Sequence, residues 1–179
     1  MDTDFYEYNV IQAQQGDREA FVRLIKQCET SIYKIARSIL KSDTECLDAA
    51  QEAVMKAYAS IRSVREPKFF KTWLIRIVMN ECQRIIRQKK RVIPMEEIIE
   101  QQACSTFEGD MALQDAVQAL EDDLRIVIML YYFEDLSVKE MARLLEIPEG
   151  TVKSRLTRAR TKLAVSYTVE KKEGRLCHE

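Results

Sequence analysis

The stretch LSVKEMARLLEIPEGTVKSRLTRARTKL, residues Leu136 to Leu163, is the most informative part of the chain. Ser137 followed three residues later by Glu140 is the pattern of a capping box, in which each side chain bonds the other residue's free backbone N–H. Val138, Met141, Ala142 and Leu145 then give a short helix one apolar face. Glu146, Ile147 and Pro148 make a tight turn, and a second helix begins near Glu149 or Thr151. Advancing about 100° per residue puts Val152, Leu156, Ala159 and Leu163 together on its inner side, with Ser154, Thr157, Arg158 and Thr161 opposite. Two short helices joined this way form a helix-turn-helix. The second has no acid from Thr151 to Leu163, so its outward face suits the major groove of DNA. Arg158 has the fork geometry for a bidentate contact to guanine, and Ser154 and Thr157 are short enough to let the helix approach. Lys153, Arg155 and Arg160 flank that face and are better placed for phosphates. An amphipathic hairpin with a solvated basic face is the plainer alternative.

Working outward, 179 residues make one domain or two small ones. A 46% hydrophobic content can build cores, while four Gly and three Pro argue against a turn-rich β fold. The net charge of -1 conceals opposed blocks. Arg84, Arg87, Lys89, Lys90 and Arg91 form an acid-free run. From Val92 to Leu124 there is no Lys or Arg, yet there are nine acids, from Glu96 to Asp123. Basic character then returns at Lys153. Two basic patches thus flank an acidic connector. The segment from Val92 to about Met111 lacks an apolar period and reads as a linker. The expected fold is all-α: a helical domain over residues 1–91, an acidic linker over 92–111, and a helix-turn-helix domain with a tail over 112–179.

In the first domain, Asp17 is a fair N-cap for a helix through Ala20, Phe21, Leu24, Ile25 and Cys28. A second helix follows through Ile32, Ile35, Ala36, Ile39 and Leu40. Ser42 or Asp43 caps a third, whose expected apolar face is Cys46, Leu47, Ala50, Val54, Ala57, Tyr58 and Ile61. Asp48, Glu52 and Met55 fall opposite it and Gln51 on its flank. Beyond a loop at Pro67, a long helix runs from about Lys71 to Arg91, with Phe70, Trp73, Leu74, Ile77, Val78 and Ile85 on one side. Arg76, Asn80, Gln83 and Arg87 follow at i, i+4, i+7 and i+11 and form one polar stripe. Just before it, Lys68, Phe69, Phe70 and Lys71 mix charge with π-surface, as single-stranded nucleic acid sites do. Phe70 and Trp73 fall on the helix's apolar side, where residues are more often core than base-stacking platforms. In the second domain, helical periodicity resumes from Ala112 through Val117, Leu120, Leu124, Val127, Ile128 and Tyr131.

Five scattered cysteines, Cys28, Cys46, Cys82, Cys104 and Cys177, with no C-x-x-C and one His, give no metal site or disulfide framework and read as reduced thiols. No cofactor is expected. No apolar run reaches the about 18 residues of a membrane span, and the acidic start MDTDFYEYNV is unlike a signal peptide, so a cytoplasmic location is expected.

Taken together, GDREAFVRLIKQ (16–27), LDAAQEAVMKAY (47–58), FFKTWLIRIVMNECQRIIR (69–87) and LYYFEDLSVKEMARLLEIPEGTVKSRLTRARTKL (130–163) resemble the extracytoplasmic-function sigma factors of bacterial RNA polymerase. GTVKSRLTRAR is the most specific string. The resemblance implies that DAAQE docks on the clamp helices of the polymerase's largest subunit, assigning Asp48, Gln51 and Glu52 to core binding, with Met55 on the same face beside them. It implies that Lys68, Phe69, Lys71, Arg76, Asn80, Gln83 and Arg87 open and read the minus-10 element. Thr151, Lys153, Ser154, Arg155, Thr157, Arg158 and Arg160 would read the minus-35 element. Implied partners are core RNA polymerase, promoter DNA and a membrane-bound anti-sigma factor, with no small-molecule substrate and no catalysis. The acidic linker would either thread the polymerase's positive channels or serve as a solvated tether. The chain departs from the family at Arg84, where Asp is usual, at Val54, where Phe is frequent, and in ALEDDLR (119–125), which lacks a usual Pro.

Two rival classes share some of these features. A transcriptional activator or repressor would carry the helix-turn-helix but not the DAAQE and TWLIRI segments. An enzyme with Cys104 or Cys177 as nucleophile would need a base, and His178 is the one histidine.

Overall fold

The computed structural model describes residues 2–92 and 111–176, in which every regular element is helical. The chain divides into two compact units, residues 1–102 and 103–179.

The first unit contains α1 (Asp2–Gln14), α2 (Arg18–Ile39), α3 (Asp43–Ser60) and α4 (Phe70–Val92), with short 3-10 turns at Ile61–Ser63 and Pro67–Phe69. Gly16 takes φ +104° in the turn between α1 and α2, a backbone state that favours glycine. Asp17 caps α2, its Oδ1 accepting from the amides of Glu19 (2.9 Å) and Ala20 (3.1 Å). The two helices expected over residues 20–40 are one continuous helix. Cys28 and Ile32 are four residues apart, so the buried face passes through the polar pair Glu29 and Thr30 with no breaker. Helix α1 has no counterpart among the helices expected from apolar spacing. Its Tyr6, Val10 and Ala13 are buried, while Tyr8 and Ile11 are exposed.

Helix α3 packs against α2 and α4 through Cys46, Ala49, Ala53 and Ala57. The expected face was rotated. Leu47 (60% exposed) and Tyr58 face outward, and the alanines occupy the contact because small side chains let the helices approach closely. Phe70, Leu24, Ile35, Leu74 and Ile75 fill the core, each contributing about 1.5–3 kcal/mol by burial. Buried Arg37 closes the end of α2, donating to the carbonyls of Leu40 (3.2 Å) and Lys41 (2.5 Å) and pairing with Asp43 (3.3 Å).

The second unit contains α5 (Met111–Gln118), α6 (Asp122–Tyr132), α7 (Val138–Leu145) and α8 (Glu149–Leu176). Leu124, Val127, Met129, Leu130, Met141 and Val152 form its core. Buried Arg125 ties α5 to α6. Its guanidinium donates to the carbonyls of Gln118 (2.6 Å) and Leu120 (3.1 Å) and pairs with Asp122.

Candidate nucleic-acid interfaces

Helix α7 starts in the expected capping box: the amide of Ser137 donates to Glu140 (2.9 Å) and the amide of Glu140 donates to Ser137 Oγ (3.3 Å). It ends at Glu146, which takes the left-handed conformation (φ 57°), allowing Ile147 N–H to reach the Ala142 carbonyl at 3.1 Å. Helix α8 then begins one residue after Pro148. Val152, Leu156 and Ala159 are buried against the unit and Leu163 is half-buried, while Ser154, Thr157, Arg158 and Thr161 face outward. The helical wheel therefore has the expected rotation. Ser154 and Thr157 hydroxyls donate back to the carbonyls of Thr151 (2.9 Å) and Lys153 (3.0 Å), which leaves their lone pairs to accept from a base edge. Lys153 and Arg160 are exposed, and Thr151 is half-buried at the helix start.

Helix α6 supplies partners that sequence spacing did not reveal. Arg155 pairs with Asp123 at 3.2 Å and is 27% exposed, whereas Arg158 is 63% exposed and only loosely paired with Glu121 at 3.9 Å. Lys162 bonds Glu121 at 2.7 Å, and this bond, with Arg158 beside it, holds the Glu121 carboxyl below its usual range. Arg160 donates to the Tyr132 hydroxyl (2.9 Å) and lies over the rings of Tyr131 (5.3 Å) and Tyr132 (5.6 Å). Arg158 is thus the arginine left most open for a groove.

In the first unit, Arg76, Asn80, Gln83 and Arg87 all lie exposed along α4, as their spacing predicts. Gln83 accepts from Arg87 at 3.4 Å. Before the helix, Phe69 is 40% exposed with the Lys68 ammonium 4.9 Å from its ring centre, and Lys71 is half-buried. Phe70 is fully buried and Trp73 half-buried, tilted against each other at 5.7 Å, so neither is a free stacking platform. The side chains of Lys90 and Arg91 and the acidic linker at 93–110 fall outside the described residues.

A sigma-70 region 2 family model matches residues 19–92 and a sigma-70 region 4 model matches residues 110–163. RNA polymerase sigma-H factor of Pseudomonas aeruginosa is 32% identical, with 84% of this chain and 88% of that protein aligned. The extracytoplasmic-function sigma factor SigW of Bacillus subtilis is also 32% identical, over 85% of this chain and 91% of that protein. The chain belongs to the extracytoplasmic-function sigma factors. Solved structures share its fold: the sigma factor RpoE of Bartonella quintana, in complex with the anti-sigma factor NepR, has a TM-score of 0.68 at 24% identity, covering 83% of this chain and 97% of that one. CnrH, in complex with the cytosolic domain of CnrY, has a TM-score of 0.67 at 22% identity, covering 92% and 98%.

On this sigma factor the DAAQE segment lies in α3, where Asp48, Gln51, Glu52 and Met55 (63% exposed) all face solvent. Leu47 and Tyr58 join them, so the surface is more apolar than its sequence implied. Behind it, buried Glu81 of α4 accepts from Lys56 (2.5 Å) and Arg84 (2.8 Å). Burial pushes the Glu81 carboxyl up, but the two cationic hydrogen bonds outweigh it and leave the group below its usual range. Arg84, the departure from the family pattern, is thus engaged along its own helix and also donates to Gln88 at 3.2 Å. Lys89 pairs with Glu45, fastening the basic end of α4 to α3. Cys28, Cys46 and Cys82 are buried free thiols, and burial pushes Cys46 up to about 11 and Cys82 to about 12, which disfavours thiolate chemistry. Cys104 and Cys177 lie outside the described residues. Among the described residues there is no cluster of potential metal ligands, and no helix is long and apolar enough to cross a membrane.

Proposed function

We propose that this sigma factor binds core RNA polymerase through α3, opens and reads the minus-10 element with the Lys68–Arg87 surface, and reads the minus-35 element with α8. The observation that carries this reading is the outward face of α8. Ser154, Thr157 and Arg158 stand free of the core on a helix positioned by a capped α7 and a left-handed turn. Arg158, Ser154 and Thr157 contact base edges, while Thr151, Lys153, Arg155 and Arg160 meet phosphates. In the first unit, Phe69 and Lys68 supply stacking surface and charge for an unpaired strand, followed by Lys71 and the stripe of Arg76, Asn80, Gln83 and Arg87. Flipping a base out of a duplex costs a few kcal/mol, which contacts at such a surface must offset.

The protein has no catalytic activity of its own; polymerase supplies the chemistry, and this chain supplies sequence selection in the cytoplasm. NepR in one solved structure is an anti-sigma factor and CnrY in the other contributes a cytosolic domain, which supports control of this chain by a membrane-anchored anti-sigma factor. Mixing the purified chain with core polymerase tests the reading: co-elution as a single holoenzyme on gel filtration is expected. Separate elution at micromolar concentrations, with tight duplex binding by the isolated chain, would favour an activator or repressor.

A further inference from the structure

Helix α1 lies ahead of the region matched by the family model, which begins at residue 19, yet it touches both ends of the segment that carries Phe69. At one end the Gln14 side-chain amide donates one N–H to the Ile61 carbonyl (3.1 Å) and the other to the Val64 carbonyl (2.8 Å). The first carbonyl opens the 3-10 turn that leaves α3 and the second belongs to the residue that caps it, where the Val64 amide also folds back on Ile61 (3.2 Å). At the other end Tyr6 stacks on Phe70, ring centres 6.0 Å apart, and Phe70 is fully buried. Between these anchors Arg65, Glu66, Lys68 and Phe69 are exposed, so the backbone from 61 to 70 is a short bridge pinned at both feet by one helix.

We propose that α1 is a positioning element for promoter melting, with Gln14 and Tyr6 fixing the bridge so that Phe69 and Lys68 are presented to the unpaired minus-10 strand. This rests on the assignment of Phe69 and Lys68 to that strand. The physical reason is that a stacking surface captures a flipped base only if it is already held in place. A bridge free to sample other conformations loses that advantage at the moment of opening. The Gln14 amide is suited to the task because its two N–H groups meet two carbonyls and nothing else in the side chain is needed for the contact.

The test uses holoenzyme reconstituted from the full chain and a promoter duplex, selected with the wild-type holoenzyme, that carries 2-aminopurine in the minus-10 element. Gln14→Glu keeps the shape but replaces both donors with acceptors facing two carbonyls. It is expected to slow opening about fivefold, with core-polymerase affinity and minus-35 duplex binding unchanged. Gln14→Lys restores N–H donors and is expected to recover most of the rate. Tyr6→Leu, which removes the stacking on Phe70, is expected to slow opening in the same direction and serves if Gln14→Glu does not fold. Phe69→Ala is the control for the underlying assignment: if it opens the promoter at the wild-type rate, the assignment falls and the inference with it. If Phe69→Ala slows opening while Gln14→Glu and Tyr6→Leu do not, the assignment stands and the positioning role is overturned. A loss of core affinity in proportion to the loss of opening also overturns it, because a general loss of folding would behave that way, and so does no recovery with Gln14→Lys, because the donors would then not be what holds the bridge.

Discussion

Arg155 and Arg158 are three residues apart on α8, yet their surroundings differ. Arg158 projects from the outward face with a loose partner, while Arg155 is drawn toward Asp123 on the flank. Replacing Arg158 with Ala is expected to lose about 1 to 3 kcal/mol on the wild-type minus-35 duplex and to relax preference at one base pair. Arg155→Ala is expected to weaken binding almost uniformly across sequences and to lower the salt slope by about one unit. Titrating both variants on single-base-changed duplexes at several salt concentrations separates the roles, and exchanged phenotypes would mean the DNA meets α8 from another side. Glu81 allows a second test at this scale. Its carboxyl is held below its usual range when folded, so its pairing stabilises the protein above the ordinary glutamate value of about 4.3 and is lost as pH falls through the lower folded value. Thermal midpoints measured from pH 6 to pH 3 should therefore fall further for the wild type than for Glu81→Gln. Parallel curves would contradict the ion-pair account.

Helix α3 shows how an element divides its duties between two faces. Ala53 sits fully buried against its neighbours, so Ala53→Leu is expected to cost about 1–3 kcal/mol in urea unfolding by overpacking. Glu52 is on the exposed face, and Glu52→Lys should leave unfolding unchanged while abolishing binding to core polymerase in a competition assay. Unaltered affinity would remove α3 from the polymerase interface. This element also marks where sequence reading fell short. The face of α8 was legible because Val152, Leu156, Ala159 and Leu163 are the apolar residues of the otherwise polar stretch Thr151 to Leu163, which is also free of acids. In α3 the apolar period pointed to Leu47 and Tyr58, because three small alanines give a weak hydrophobic signal although close helix packing demands them. The stripe Arg76, Asn80, Gln83 and Arg87 was legible from its spacing alone. Helix α1 was not, since its apolar residues are spread around the helix, with Tyr6 and Val10 buried but Tyr8 and Ile11 exposed. The ion pairs of Arg155, Arg158 and Lys162 with Glu121 and Asp123 join residues about thirty to forty apart, which no local pattern encodes.

At the scale of the molecule, each unit has its own core, one closed by Arg37 and Phe70, the other by Arg125 and Leu124. We therefore expect a fragment of residues 112–179 to be helical by circular dichroism and to bind a minus-35 duplex weakly, and limited proteolysis of the free chain to cut first between residues 92 and 111. An unfolded fragment together with no early cut would contradict independent folding. Separate units suit the proposed role, in which one unit reads duplex and the other an open strand while both are joined to a single enzyme. The most direct test is transcription in vitro from a library of randomised promoters, using purified core polymerase with and without this chain. The expected result is discrete transcripts only with the chain present, arising from templates enriched in two sequence elements at a fixed spacing, with Arg158→Ala altering the upstream one and Phe69→Ala reducing output through the downstream one. Transcription that is unchanged by adding the chain, or enriched templates sharing one duplex motif with no downstream element, would contradict it.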